Sequence, residues 1–150
     1  MSLIGGDEHA NFDLCGAIID QAADAIIFAD RDGRVRIWNR GAEVIFGYAA
    51  AEILGRDLDV IIPEPFREAH WAGFHRAMET GLIKHNGRTL TTRSVHKNGS
   101  KLYLDLSFSL VRYGDGAVAG ALALGRDCTV THLAQRARDR QGRVSQETER

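Results

Sequence analysis

The segment from Lys101 to Val111, KLYLDLSFSLV, alternates strictly. Leu102, Leu104, Leu106, Phe108 and Leu110 fall on one face, and Lys101, Tyr103, Asp105, Ser107 and Ser109 fall on the other. A period of two held this long is a strand with one buried and one wet face, the signature of a one-sided antiparallel sheet. The apolar face must be covered, and helices are the available cover.

The surroundings supply both. His96-Lys97-Asn98-Gly99-Ser100 and Tyr113-Gly114-Asp115-Gly116 are turn sequences that join this strand to neighbours at Leu90 to Val95 and Ala117 to Gly125. Upstream, Ala25 to Asp30 (AIIFAD) and Arg34 to Asn39 (RVRIWN) are short β-rich runs separated by Arg31-Asp32-Gly33, a hairpin signal. Between the two groups, RGAEVIFGYAAAEILGRDL breaks into small helical pieces at Gly47 and Gly55. Pro63 and Pro65 then open a longer helix, and Gly81 ends it. The expected fold is α+β: a five-stranded antiparallel sheet with helices on one face, and a pocket between sheet and helix.

At 150 residues the chain is one domain by length, expected to span 24–129. A flanking helix is expected over 1–23, where Phe12, Cys15, Ile18, Ile19 and Ala22 recur at helical spacing. That helix would cap the core or meet a second copy. Residues 130–150 are polar and basic with a thin stripe of Val130, Leu133, Ala137 and Val144, expected as a signalling helix or linker that frays beyond Gly142. Arg136, Arg138, Arg140 and Arg143 read as a solvated helix face. With 19 basic and 20 acidic residues the net charge is -1, which gives no field for nucleic acid or an anionic membrane. No apolar run approaches the roughly 20 residues of a membrane span. The start, MSLIGGDEHANFD, lacks a secretory pattern. Cys15 and Cys128 stand far apart with no metal-ligand spacing, which suits a reducing, cytoplasmic setting.

Chemistry concentrates in Pro63 to Gly81. Stepping 100° per residue puts Gly73, Phe66, Ala77, His70 and Phe74 on one arc, with His70 near its centre. His75 falls about 140° away from His70, beside Glu68 and Glu79. An inward neutral imidazole is either tied to a buried hydrogen-bond partner or bound to a metal. Both readings of His70 stay open at this point. The six histidines, at 9, 70, 75, 85, 96 and 132, form no zinc-protease pattern. No nucleophile elbow, phosphate loop or dinucleotide fingerprint is present, and Asp57, Asp59 and Glu64 read as caps and surface charges. The expected role is therefore non-catalytic.

Across residues 14–129 the chain resembles the PAS sensor-domain family. The matching pieces are DAIIFADRDGRVRIWNRGAEVIFGYAAAEILGRDLDVIIP, HKNGSKLYLDLSFSLV and GRDCT. The resemblance implies a sensory and signal-transduction module, a homodimer, and a C-terminal effector such as a histidine kinase of a two-component system, a cyclase or a chemoreceptor. PEPFREAH is similar to the start of the helix that carries the proximal ligand in bacterial oxygen-sensing haem-PAS domains. That similarity implies haem b with His70 as the iron ligand, Arg76 reaching a propionate, and Leu106 and Phe108 lining the distal side. Leu90 stands where such sensors carry an arginine, with Arg88 and Arg93 close by, and His85 stands at a usually apolar position. Weakly discriminating haem and a six-coordinate His70/His85 iron both accord with this. The light-sensing flavin branch uses an Asn-Cys-Arg-Phe motif, replaced here by Gly55-Arg56-Asp57-Leu58-Asp59, which removes cysteinyl photochemistry and leaves a non-covalent flavin. A domain with no cofactor, working only in protein association, is the alternative. Asp127-Cys128-Thr129 resembles the Asp-x-Thr junction through which the family passes a signal, with Asp127 holding the strand end and Thr129 capping the next helix.

Overall fold

The computed structural model describes residues 8–148. Residues 1–7 of the expected flanking segment and residues 149–150 of the exit segment lie outside the described residues. Five strands form one antiparallel sheet: β1 (Ala25–Asp30), β2 (Val35–Trp38), β3 (Thr89–Val95), β4 (Lys101–Arg112) and β5 (Val118–Asp127). Their order across the sheet is β2-β1-β5-β4-β3, so the chain's first and last strands pair at the centre. The helices are α1 (Glu8–Gln21), α2 (Arg40–Phe46), α3 (Ala50–Ile53), α4 (Glu64–Thr80) and α5 (Thr129–Thr148), with a 3-10 turn at Asp59–Ile61.

Leu102, Leu104 and Leu106 are buried on β4 while Lys101 is exposed, as the alternation requires. They join Ile27, Val35, Trp38, Phe46 and Ile53 in a core beneath α2 and α3. A second cluster sets Phe74, Ala77 and Met78 of α4 against Ala29 and Val118. Between the two, the central strands turn small residues toward α4: Ala29 pairs with Ala121 and Leu110 with Ala121, while Ile27 and Phe108 both pair with Ala123. Methyl groups where leucine would fill the space leave a cavity there.

Asn39 fixes the start of the domain. Its buried side-chain oxygen accepts the Ala42 amide at 3.0 Å, capping α2, and the Ile26 amide of β1 at 2.8 Å. Its Nδ2 donates to the Ile19 carbonyl at 2.8 Å and the Asp24 carbonyl at 3.0 Å, holding the end of α1. The chain reverses between β1 and β2 at Gly33, whose φ is 77°. A side chain there would also meet the Trp71 ring, about 2.7 Å from the position of a Cβ.

α1 meets α2 and leaves Phe12 81% and Ile18 57% exposed, which leaves the second-copy alternative for this helix open. One flanking expectation changes. The exit helix does not fray at Gly142 but runs on to Thr148. One glycine costs a helix about 1 kcal/mol, and side-chain bonds such as Gln135 to Asp139 at 2.9 Å and Arg138 to Gln135 at 2.9 Å lie on the turns before it.

Candidate functional site

α4 begins after Pro63, with Pro65 in its first turn, and ends at Gly81, which adopts the left-handed conformation and donates its amide to the Ala77 carbonyl at 2.9 Å. Its angle over the sheet is set by Trp71. The indole Nε1 donates to Asp59 Oδ1 at 2.7 Å, and the other side of the ring rests against Gly33. The buried stripe of α4 is therefore Phe74, Ala77 and Met78, with Trp71 half-buried beside it. This rotates the inward face relative to the arc expected from the sequence. Phe66, expected inward, is 46% exposed and carries the Arg93 guanidinium 5.9 Å from its ring centroid.

His70 keeps an inward position on the flank of that stripe, and His75 is exposed, as expected. The two rings differ chemically. His70 Nδ1 is buried and has no hydrogen-bond partner, the one such side-chain atom among the described residues. Burial holds its pKa below the usual imidazole value, against a weaker opposing pull from the Asp59 carboxylate. Trp71 meets the imidazole edge-on with ring centroids 4.7 Å apart and so fixes its position.

His70 borders a cavity of about 300 Å³ between α4 and the sheet. Ile27, Ala29, Phe108, Leu110, Ala121 and Ala123 form the sheet wall, and Gly73, Phe74 and Ala77 form the helix wall. Leu58, Leu82, Ile83, Leu90 and Leu122 complete the apolar part. Arg76, Lys84 and His85 supply the remaining polar groups, and no carboxylate lines the space. The volume is at the lower end of the range for ligand sites, about 300 to 1,000 Å³.

Five residues singled out from sequence thus meet at one cavity: His70, Arg76, His85, Leu90 and Phe108. Two do not reach it. Leu106 is buried in the neighbouring core, paired with Leu90 on β3 and Gly125 on β5. Arg88 is exposed just before β3, its amide bonded to the His85 carbonyl at 3.0 Å. Sequence reasoning passed over Asp59, read as a surface charge, and Lys84. It also passed over the inward alanines, although the small residues alternating in VAGALALG are a readable sign of an unfilled strand face. Neither cysteine lines the cavity; Cys15 is exposed on α1 and Cys128 lies after β5.

At the exit, the expected roles are shared differently. Asp127 Oδ1 accepts both the amide (2.8 Å) and the hydroxyl (2.6 Å) of Thr129, so the aspartate caps α5. Thr129 Oγ1 caps nothing on its own helix. It accepts the Tyr103 amide of β4 at 2.9 Å.

This fold and cavity can be compared with known proteins. The sequence profile of the family described as the PAS fold matches residues 16–128. The chain belongs to the PAS family. It is similar to the oxygen sensor protein DosP of Escherichia coli, at 30% identity over 141 residues, which is 94% of this chain and 17% of DosP. It is also similar to the sensor protein FixL of Bradyrhizobium diazoefficiens, at 26% identity over 100 residues, 65% of this chain and 19% of FixL. The PAS domain thus spans less than a fifth of the length of these sensor proteins. Among solved structures, a PAS domain from Colwellia psychrerythraea superposes with a TM-score of 0.67 at 23% identity, covering 79% of this chain and 98% of that one. An RNA-binding light-oxygen-voltage receptor superposes with a TM-score of 0.71 at 20% identity, over all of this chain and 43% of that one. At these identities the structures speak for the fold alone. Among the described residues no helix is long and apolar enough to cross a membrane.

Proposed function

We propose that this PAS domain senses a small ligand through a group held between α4 and the sheet, that haem b is that group, and that the signal leaves through α5 to a C-terminal effector. One observation carries the reading: an unpartnered, buried imidazole nitrogen beside an apolar cavity. A buried nitrogen without a partner is costly unless something binds it, and an iron or another donor would satisfy it. The lowered pKa keeps His70 neutral near pH 7, the form that ligates metal.

The other residues fit the same group. Arg76 and Lys84 are cations at a cavity without carboxylates and would hold the two propionates. Ile27, Phe108, Leu110 and Leu90 would keep water away, and His85 offers a second nitrogen to iron. Haem held by His70 alone would supply an iron able to bind a diatomic gas. Similarity to a protein named as an oxygen sensor supports this choice over a non-covalent flavin. Asp127 and Thr129 would couple the sheet to α5, and a histidine kinase, cyclase or chemoreceptor would receive the signal in the cytoplasm. The domain itself would have no catalytic step. A second reading, a cofactor-free association module, is favoured by the exposed apolar residues of α1, Phe12 and Ile18.

The test is the absorption spectrum of protein expressed with a haem supplement. A Soret band in stoichiometric proportion to protein is expected, and its absence would remove haem in favour of the second reading.

A further inference from the structure

Gly73 stands in the middle of α4, where a glycine weakens a helix relative to alanine. The backbone does not call for one. Gly73 is not among the glycines with positive φ, and a Cβ there would meet nothing within 4 Å, whereas one at Gly33 would meet Trp71. Neither the local conformation nor a neighbouring element therefore accounts for the missing side chain. A third use of glycine is to let another molecule approach the backbone closely, and the position suits it. Residues 70, 73 and 77 share one flank of the helix, and His70, Gly73 and Ala77 all line the cavity. Gly73 and Leu82 line it and are also exposed, which puts them at its mouth.

We propose that Gly73 is a specificity-determining residue that selects a flat ligand, by letting the edge of a planar ring lie against the α4 backbone at the mouth of the cavity. Such a role rests on the reading that this cavity holds the domain's sensory group. The wall across from Gly73 and Ala77 has the same character, since Ala29, Ala121 and Ala123 present only methyl groups on the paired strands β1 and β5. Short side chains on both walls leave a slit rather than a rounded hole. A planar conjugated ring fills a slit with contact on both of its faces, which a branched or coiled aliphatic chain cannot do. Arg76 lies three residues beyond Gly73, so an acidic substituent on the ring's edge passes Gly73 on its way to the guanidinium. A side chain at position 73 would stand in that path.

The experiment titrates protoporphyrin IX, a flat ring with two carboxylates and no iron, into the full chain and follows the quenching of tryptophan fluorescence. Trp71, edge-on against His70, reports occupancy of the cavity. Gly73→Leu should weaken binding by about ten-fold or more, and Gly73→Ala by less. In the ligand-free chain, Gly73→Ala should unfold at a urea concentration at or above the parent's, because alanine is the better helix former and meets nothing there. Gly142→Ala makes the same exchange on α5, away from the cavity, and should bind with parent affinity. Parent-like affinity in Gly73→Leu would overturn the role of Gly73. A lowered urea midpoint in Gly73→Ala would overturn it too, since the fold itself would then need the glycine. The haem reading fails separately. Protoporphyrin bound without a His70-dependent haem band keeps the slit and removes the iron, whereas a haem band in a chain that takes up no protoporphyrin overturns the slit and leaves the iron. A chain that takes up neither overturns both.

Discussion

His70 and Cys128 show how surroundings decide what a titratable side chain can do. Burial depresses the His70 pKa in the folded chain below its ordinary 6.5, so the unfolded chain binds the proton more readily. Stability should therefore fall as pH drops below about 6.5, down to the folded value, and His70→Gln should flatten that slope in pH-dependent denaturant titrations. An unchanged slope in the variant would mean that His70 titrates as a solvated group. Cys128 is shifted the other way, to about 11, by burial first and by a hydrogen bond to the Asp105 carboxylate second. A maleimide at pH 7.5 should label exposed Cys15 within minutes and leave Cys128 unlabelled until denaturant is added. Equal rates for the two thiols would contradict the described junction.

At the scale of elements, the β4 alternation and the turns at Gly33, Gly99 and Gly116 made the sheet legible in the sequence, because a period of two and a hairpin glycine are local properties. The face of α4 was legible only in part. An ideal helical wheel centres the arc on His70, but the orientation is decided by Trp71 reaching Asp59 and Gly33, and both contacts lie outside the helix. The pocket between sheet and helix was expected, but what opens it was not legible: it is a deficit of volume shared by Ala29, Ala121 and Ala123, which meet only through strand pairing. At the exit, the Asp-x-Thr spacing was visible but the division of labour was not, since Tyr103 is far from Thr129 in the chain. Asp127→Ala removes the cap of α5 and should cost about 0.5–2 kcal/mol, measured as a lower midpoint in denaturant. If Asp127 also belongs to the relay, a fusion to an effector should lose its ligand-dependent output ratio as well. A preserved ratio with only the lower midpoint would leave the aspartate as a cap.

For the whole molecule, one exposed apolar surface and one cavity define the behaviour to be expected. Phe12 and Ile18 on α1 remain bare in the single chain, and a second copy is the partner proposed to cover them. Light scattering should give a dimer for the full chain and a monomer for a chain starting at Asp24; identical monomeric masses would remove the dimer. The cavity carries the central claim, that His70 on the inner flank of α4 ligates haem while His75, on the same helix, has no part in it. The most direct test is the Soret band of His70→Ala and His75→Ala, each expressed with a haem supplement beside the parent chain. The band should vanish in His70→Ala and persist nearly unchanged in His75→Ala. A parent-like band in His70→Ala, or loss of the band in His75→Ala alone, would contradict the account.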